Sequence, residues 1–281
     1  QLSLVEVGAD QAFLLTELET RLGELLDGCA NVYLHAGEDP ETDRALFRCL
    51  KKLRANERNG ARPPRSFHDL TLTLHELRLV KDDEGLSRMR RAAAITAEAH
   101  LAAMRAARAG RREYEIEALI DYVFRKNDGY CGYDTIVGCG NNATTLHYTG
   151  GRDTLCAGRI LLVDAGCEYD HYTADVTRSY PVPDGGEVRF TAEQQRLYEL
   201  VLAAQAAGID AARPGATIED VHDACVRVVT AGLVDIGLLT GEPQELIEKG
   251  QHRRFYVHRT SHFLGMDVHD VGLYFRNPEE D

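Results

Sequence analysis

The sequence has no apolar run of the ~20 residues that a transmembrane helix requires. It also lacks an excess of positive charge, because 32 Lys and Arg oppose 45 Asp and Glu and the formal net charge is −13. Such a charge disfavours binding to nucleic acid or to an anionic membrane surface, so we expect neither as a partner. A hydrophobic fraction of 44% over 281 residues suits a protein with a packed core.

The seven cysteines are odd in number and scattered, and no CxxC pair occurs among them. This pattern indicates neither a disulfide framework nor a zinc ribbon. Reduced thiols in a cytoplasmic protein are the simplest interpretation, so we expect a cytoplasmic location.

The first 80 residues are typical of a small α/β domain. ANVYLH at 30–35 predicts a short buried strand, and Asp39-Pro40 predicts the start of a helix that runs through Leu53. The charged segment VKDDEG at 80–85 then predicts a linker. We therefore expect two domains, a partial N-terminal α/β domain at 1–80 and a catalytic domain at 81–281. The first domain begins abruptly, so we expect its start to lie outside this sequence.

The second part alternates helices with short apolar runs. ATTLHY at 143–148 predicts a strand that ends in His147. Thr191 and Gln194 form a capping-box pattern at the start of a helix. The predicted helices are 86–109, 112–126, 192 to about 212, and 218 to about 233, the last capped by Thr217.

A short internal repeat links these helices. AARAG at 106–110 recurs as AARPG at 211–215, a shift of 105 residues. Each copy follows a long helix and precedes a second helix with an acidic first turn. Five residues alone could match by coincidence, but the shared order of elements favours an ancient duplication of two halves around one site.

The stretch RILLVDAGCEYDHYTADVTRSY at 159–180 predicts two antiparallel strands joined by a tight turn. Each strand carries one aspartate, Asp164 or Asp175, near its middle. A turn at Tyr169-Asp170 would place these aspartates directly opposite each other, with Cβ atoms ~4.5–5.5 Å apart. Two carboxylates at that distance repel each other unless a proton or a cation lies between them.

Divalent metal ions suit the aspartate pair better than a shared proton, since hard cations bind several carboxylate oxygens at once. The competing interpretation is a buried aspartate that pairs with arginine or caps a turn. Arg178 could balance the local negative charge in that way. We favour metal because Asp164 is isolated in the middle of its strand and faces Asp175, although Asp175 alone would be a weaker indication because it lies nearer the turn.

Three histidines lie close together near the end of the chain, His258, His262 and His269. His258 and His262 have the spacing of a zincin helix, but Arg259 replaces the glutamate of HExxH. We expect His262 to be the nitrogen ligand, with a core histidine as the alternative. His258 and His269 suit substrate-binding positions. His147 suits a pocket lining, with an exposed surface histidine as the alternative. By residue type, Asp134, Asp267 and Asp270 could also bind metal.

The segments LVDAGCEYDHYTADVTRSYPV, SHFLGMDVHDVG and IVGCGNNATTLHY occur here with the separations found in a known family. Together they resemble bacterial-type Xaa-Pro aminopeptidase (aminopeptidase P), within the pita-bread metallopeptidases. The resemblance covers about residues 77–275. It implies an α+β fold, with a duplicated pita-bread catalytic domain behind a partial N-terminal α/β domain.

The resemblance also implies roles for individual residues. Asp164 and Asp175 would be carboxylate ligands of two divalent ions, most often Mn²⁺, with Asp175 bridging the ions and His262 as the nitrogen ligand. His269, His258 and His147 would be catalytic residues on the substrate side. The implied reaction is hydrolysis, by a metal-bridging water, of the bond between an N-terminal residue and a following proline. A homo-oligomer that acts on such peptides is expected.

The sequence departs from the family pattern in two ways. The pattern has two further glutamate ligands, and Glu279 and Glu280 match neither of them. Arg259 stands where glycine is expected, which should alter the pocket rim. We therefore expect these residues to be part of a longer polypeptide. The alternatives are a prolidase that cleaves Xaa-Pro dipeptides, less favourably a methionine aminopeptidase, or a catalytically inactive binding module with this fold.

Overall fold

The computed structural model describes residues 8, 10–183, 185–186 and 188–272. Contacts between Cα atoms divide the chain into two compact units, residues 1–77 and residues 78–281. No helix within the described ranges combines the length and the apolar composition that crossing a bilayer requires.

The first unit packs two helices together beside a small parallel sheet. A core of Leu26, Leu46, Cys49 and Leu50 holds the helices together. The second helix begins where Asp39-Pro40 predicts, and the Asp39 carboxylate accepts a hydrogen bond from the Glu41 amide at 3.1 Å. The elements are α1 (Leu18–Leu26), β1 (Asn31–Leu34), α2 (Pro40–Ala55), β2 (Ser66–Asp69) and α3 (Leu70–Leu79), which extends past residue 77.

The predicted strand at 30–35 exists as β1, but it is not buried. Its residues alternate between exposed and half-buried, and Tyr33 is 55% exposed. Among the described residues β1 pairs only with β2, and its side chains Val32 and Leu34 pack against the helix core whereas Tyr33 faces away from it.

Among its described residues, the second unit contains four long helices and six strands. The helix predictions are confirmed to within about three residues, and the Thr191–Gln194 capping box forms with N–O distances of 2.9 and 3.2 Å. Its elements are α4 (Asp83–Ala106), α5 (Glu113–Lys126), β3 (Tyr130–Cys131), β4 (Ile136–Cys139), β5 (Ile160–Ala165), β6 (Cys167–Tyr169), β7 (Tyr172–Thr173), β8 (Val176–Pro181), α6 (Ala192–Ala211), α7 (Ile218–Asp235) and α8 (Pro243–Glu248).

The internal repeat coincides with equivalent helix boundaries. Helix α4 ends at Ala106 and α5 begins at Glu113, whereas α6 ends at Ala211 and α7 begins at Ile218. Both boundaries are displaced by the 105 residues that separate the two sequence copies. This agreement supports the interpretation of two related helix–turn–helix units.

Two antiparallel sheets lie against α4. The strand orders are β4-β5-β8 and β3-β6-β7, and α4 contacts β5 and β8 of the first sheet and β6 and β7 of the second. The core between helices and strands is mostly aliphatic, and Phe124 is the largest of its fully covered side chains. Its fully covered members include Ile95, Ile116, Ile120, Phe124, Leu161 and Val163.

The predicted hairpin register is wrong by two residues. Asp164 lies opposite Thr177, not Asp175, because the turn is formed by Asp170 and His171. These two residues have φ of 49° and 68°, as a two-residue type I′ turn requires. Because strand side chains alternate with a period of two, this shift leaves both aspartates on one face.

The predicted strand at 143–148 is also wrong. A 3-10 turn covers Asn142–Thr144, and the strand of this region is β4, which lies upstream. The Asn142 amide donates to the fully buried Glu113 carboxylate at 3.0 Å and to Asp153 at 2.9 Å. These side-chain bonds favour a compact loop over an extended strand.

Candidate metal centre

The two aspartates of the hairpin meet at one tyrosine. Asp164 lies near the end of β5, and Asp175 directly precedes β8. The Tyr133 hydroxyl lies 2.6 Å from Oδ1 of Asp164 and 2.9 Å from Oδ1 of Asp175. Burial and these two carboxylates raise the pKa of Tyr133 well above its usual range, so the phenol keeps its proton. It therefore acts as a hydrogen-bond donor between the carboxylates.

His262 approaches the same pair from the loop near the end of the described chain. Its Nε2 lies 2.9 Å from Oδ2 of Asp175, and its Nδ1 donates to the Phe263 carbonyl at 2.8 Å. The mutual hydrogen bond lowers the pKa of Asp175 and raises the pKa of His262. When the imidazole is neutral, the Nδ1–H bond leaves Nε2 as the nitrogen available to a metal.

The three other predicted histidines differ in position. The exposed His269 packs against His262, with ring centroids 4.2 Å apart. His258 is exposed, and its Nδ1 donates to the neighbouring Arg259 carbonyl at 2.8 Å. His147 is exposed at a φ of 50°. Within the described ranges, neither His258 nor His147 has a hydrogen bond, ion pair or ring contact to the aspartates or to His262.

The remaining candidate ligands have other partners. Asp270 is fully buried and pairs with Arg78 at 2.7 Å and Lys81 at 2.8 Å, and Arg78 also pairs with Asp267 at 2.6 Å. These ion pairs make Asp267 and Asp270 supports of the histidine loop rather than free ligands.

Two further expectations concern residues near the aspartates. Asp134 is exposed and lies beside Tyr133 in the chain. The Arg178 guanidinium donates to the Thr177 carbonyl at 2.8 Å, and among the described residues it pairs with neither aspartate. Glu279 and Glu280 lie outside the described residues.

Sequence reasoning missed the residues that hold the aspartates and the histidine loop in place. Besides Tyr133, the buried Thr173 donates from its amide and its hydroxyl to the Gly265 carbonyl, at 2.8 and 3.0 Å. Gly166 sits so close to Ala174 that a Cβ would lie 1.8 Å from the Ala174 carbonyl oxygen. A glycine two residues after a strand aspartate is a weak signal of close backbone approach, and nothing local distinguishes Tyr133 from the other tyrosines.

The donor set fits part of a metal site. Two carboxylates and one imidazole are suitable ligands for a divalent cation that prefers oxygen. Asp175 contacts His262 directly, whereas Asp164 joins them through Tyr133. Among the residues with described positions, no three His, Cys, Asp or Glu side chains are grouped closely enough to hold an ion together. The side chains present therefore suit a centre in chemistry but are too few to complete it.

Comparisons with known proteins agree with this chemistry. Residues 87–281 match metallopeptidase family M24. The chain is 39% identical over 270 residues to Xaa-Pro aminopeptidase of Escherichia coli, covering 96% of this chain and 60% of the relative. It is 43% identical over 202 residues to Xaa-Pro aminopeptidase of Haemophilus influenzae, covering 72% of this chain and 46% of the relative. The chain thus spans between about half and three fifths of these relatives.

Solved structures show the same fold. Aminopeptidase PepP of Pseudomonas aeruginosa superposes with a TM-score of 0.92 at 42% identity, over 99% of this chain and 62% of that one. A variant of Escherichia coli aminopeptidase P in complex with substrate superposes with a TM-score of 0.91 at 39% identity, over 97% and 61%. The predicted α+β pita-bread architecture is confirmed.

Proposed function

Since the chain belongs to metallopeptidase family M24, we propose that it contributes the metal-binding core of a Xaa-Pro aminopeptidase. The contact between Asp175 and His262 carries the proposal, because it joins a carboxylate and an imidazole from distant segments beside the Tyr133-linked Asp164. The names of the relatives supply the substrate class, peptides with proline in second position.

We propose Asp164, Asp175 and His262 as ligands of two divalent ions, with Mn²⁺ as the preferred metal for an oxygen-rich donor set. Three side chains are too few for two ions, so the complete centre requires further carboxylates. Divalent ions bound there would supply Lewis-acid activation of water and of the peptide carbonyl.

The protein groups around this centre divide between orienting the ligands and binding the peptide. Tyr133 donates to the carboxylates and keeps their oxygens converged. We propose that His269, whose exposed ring packs on that of His262, donates a hydrogen bond to the peptide at the scissile bond. We propose His258 and His147 as further catalytic groups on the substrate side. Binding of the peptide would have to bring them into contact with the scissile bond.

The substrate's proline offers two features for recognition. It lacks an N–H group and its φ is fixed near −65°. A pocket that leaves no acceptor opposite that nitrogen would accept proline and would leave the N–H of any other residue unpaired. We further propose a cytoplasmic homo-oligomer without nucleic-acid or membrane partners, in keeping with the net charge of −13.

The test is to measure metal content and peptide hydrolysis on the same preparation. When the further carboxylates are also present, the protein should bind Mn²⁺ and release the first residue of Xaa-Pro-Xaa tripeptides. Asp164→Ala should lose metal and activity together, whereas His269→Ala should keep its metal and lose turnover. Asp235→Asn, at the exposed last residue of α7, is the control that should change neither.

Other outcomes would assign a different function. Hydrolysis of Xaa-Pro dipeptides alone would indicate a prolidase. Protein without bound metal and without activity would indicate a non-catalytic binding module, the alternative favoured by the small number of donors in the described residues. Full activity in Asp164→Ala would remove this site from consideration.

A further inference from the structure

Two cysteines face each other across a strand pair next to the candidate centre. Cys131 of β3 and Cys167 of β6 are directly opposed in the antiparallel register. The adjacent pair is joined by a hydrogen bond from the Gly132 amide to the Gly166 carbonyl at 2.8 Å. Since hydrogen-bonded and non-hydrogen-bonded pairs alternate, the two cysteines occupy a non-hydrogen-bonded pair.

The backbone of Cys167 agrees with this assignment. Its carbonyl accepts from the Ala174 amide at 2.9 Å and so points away from β3. Opposed residues in a non-hydrogen-bonded pair have Cα atoms about 4.5 Å apart and Cβ atoms on the same face. Disulfides span Cα distances of about 4.4–6.8 Å, so the backbone needs little movement to accept one.

The two thiols differ in access. Cys131 is exposed, and its Sγ lies 3.7 Å from a carboxylate oxygen of Asp121 and 4.0 Å from the Thr135 hydroxyl. Cys167 has no exposed surface, and its Sγ donates to the Glu168 carbonyl at 3.3 Å. An oxidant in solution therefore reaches Cys131 first, and Cys167 lies beneath it as the resolving thiol.

We propose that Cys131 and Cys167 are a cross-strand thiol pair that small-molecule disulfides oxidise to a protein disulfide. The Cys131 thiolate attacks oxidised glutathione, forms a mixed disulfide and releases one glutathione. The Cys167 thiolate then attacks the Cys131 sulfur and releases the second glutathione. Two protein thiols are oxidised, one glutathione disulfide is reduced, and the thiol protons end on the two glutathiones.

The position of the pair connects it to the candidate centre. Tyr133 follows Cys131 by two residues, and Asp164 precedes Cys167 by three. A bond between the cysteines would therefore tie together the segments that carry these two groups. The inference stands apart from the proposed function, because its readout needs neither metal nor activity.

The chemistry sets the conditions of the experiment. Burial raises the pKa of the Cys131 thiol and raises the pKa of Cys167 to about 11. Because thiolates are the reacting species, oxidation should be slow at neutral pH and should accelerate as the pH rises toward 9. We would therefore incubate the protein with excess oxidised glutathione at pH 8.5, unfold it, alkylate the remaining thiols and measure the intact mass.

The expected product is a protein with two fewer alkylated thiols and no retained glutathione. Trypsin should then give residues 127–152 linked to residues 160–178. Because 127–152 also contains Cys139, variants must assign the bond. Cys131→Ser should abolish the linked peptide, and Cys139→Ser should retain it.

A melting measurement provides a second readout. Closing the loop between the two cysteines should raise the melting temperature of the oxidised wild type by roughly 5 °C or more, and the oxidised Cys131→Ser variant should show no such rise. Stable glutathionylation of Cys131 without loss of the second thiol would overturn the proposal. A linked peptide that persists in Cys131→Ser would also overturn the proposal. Because Cys131 is exposed, this substitution does not require the core to repack.

Discussion

Nε2 of His262 lies 2.9 Å from Oδ2 of Asp175, although the two residues are 87 positions apart in the chain. The same Nε2 is the nitrogen that a metal would bind, because Nδ1 is engaged by the Phe263 carbonyl. A proton and a metal therefore compete for one position between the imidazole and the carboxylate. The loop that carries His262 and the hairpin that carries Asp175 must keep their relative positions for either the proton or the metal to be bound.

Tyr133→Phe should weaken metal binding without unfolding the protein. The hydroxyl that it removes orients both aspartates, and loss of such a supporting hydrogen bond usually reduces metal affinity roughly 10–100-fold. Titration calorimetry with Mn²⁺ measures the affinity. Tyr130→Phe, at a tyrosine that is 56% exposed, is the matched control. Unchanged affinity in Tyr133→Phe would show that the aspartates need no support from the phenol.

Asp270→Asn should destabilise the second unit by about 3 kcal/mol, because it leaves Lys81 and Arg78 without a buried counter-charge. Denaturant unfolding gives the free energy of unfolding. Asp267→Asn shares the contact to Arg78, but the Asp267 side chain is 62% exposed, so it should cost less than about 1 kcal/mol. Equal losses in the two variants would contradict a special role for the buried carboxylate.

Stability should fall as the pH drops below neutral, partly through His100. This ring is 5% exposed, donates from Nε2 to the Val176 carbonyl at 2.9 Å, and has its pKa lowered by burial. As the pH falls, the unfolded chain, with a histidine pKa of ~6.5, takes up a proton before the folded chain does. The free energy of unfolding then decreases by up to about 1.4 kcal/mol per pH unit. The contribution of the neutral ring is complete above that pH and is lost as the pH falls toward the folded value.

The pH effect can be measured as melting temperature between pH 5 and 8 with a chelator present, so that release of bound metal does not contribute to the pH dependence. His100→Gln should reduce the slope over this range. His171→Asn is the control, since His171 is exposed and asparagine tolerates its φ of 68°. If His100→Gln kept the slope of the wild type, the buried ring would not be its source.

Gly166→Ala should be among the most damaging single-methyl additions in the second unit. The new Cβ would lie 1.8 Å from the Ala174 carbonyl oxygen and 2.7 Å from Cε1 of Tyr133, and the backbone carbonyl cannot rotate away. We expect a loss of roughly 3 kcal/mol or more in the free energy of unfolding. Gly23→Ala in α1 meets no atom within 4 Å and should be neutral or gain up to about 1 kcal/mol. Similar stabilities for both variants would refute the close-approach argument.

Helices and their starts could be predicted from sequence, because the signals are local. The Thr191 box and the Asp39-Pro40 pair satisfy amides that lie within three residues of them. The association of two aspartates on one face was also predictable, since charged residues within apolar strands need a shared partner. A period of two preserved that face even though the predicted register was wrong.

The features that were predicted wrongly or not predicted have a common physical cause. The turn at Asp170–His171 is held from outside, because Arg88 of α4 donates to the Asp170 carboxylate at 2.5 Å. The loop after β4 is shaped by the buried Glu113, which lies about 30 positions upstream. Tyr133 becomes a bridge only when three separate segments converge. Such contacts between distant segments leave no local pattern, so sequence periodicity could not reveal them.

Helix α4 supports strands of both sheets in the second unit. A rigid displacement of this helix would carry the backbone around Asp164 and the backbone around Asp175 in the same direction. The distance between the two carboxylates would therefore stay the same when the helix moves relative to its surroundings. Substitutions on the side of α4 that packs on the strands could therefore shift the position of the centre during evolution. They would leave unchanged the distance between the two carboxylates, which determines the ion that fits.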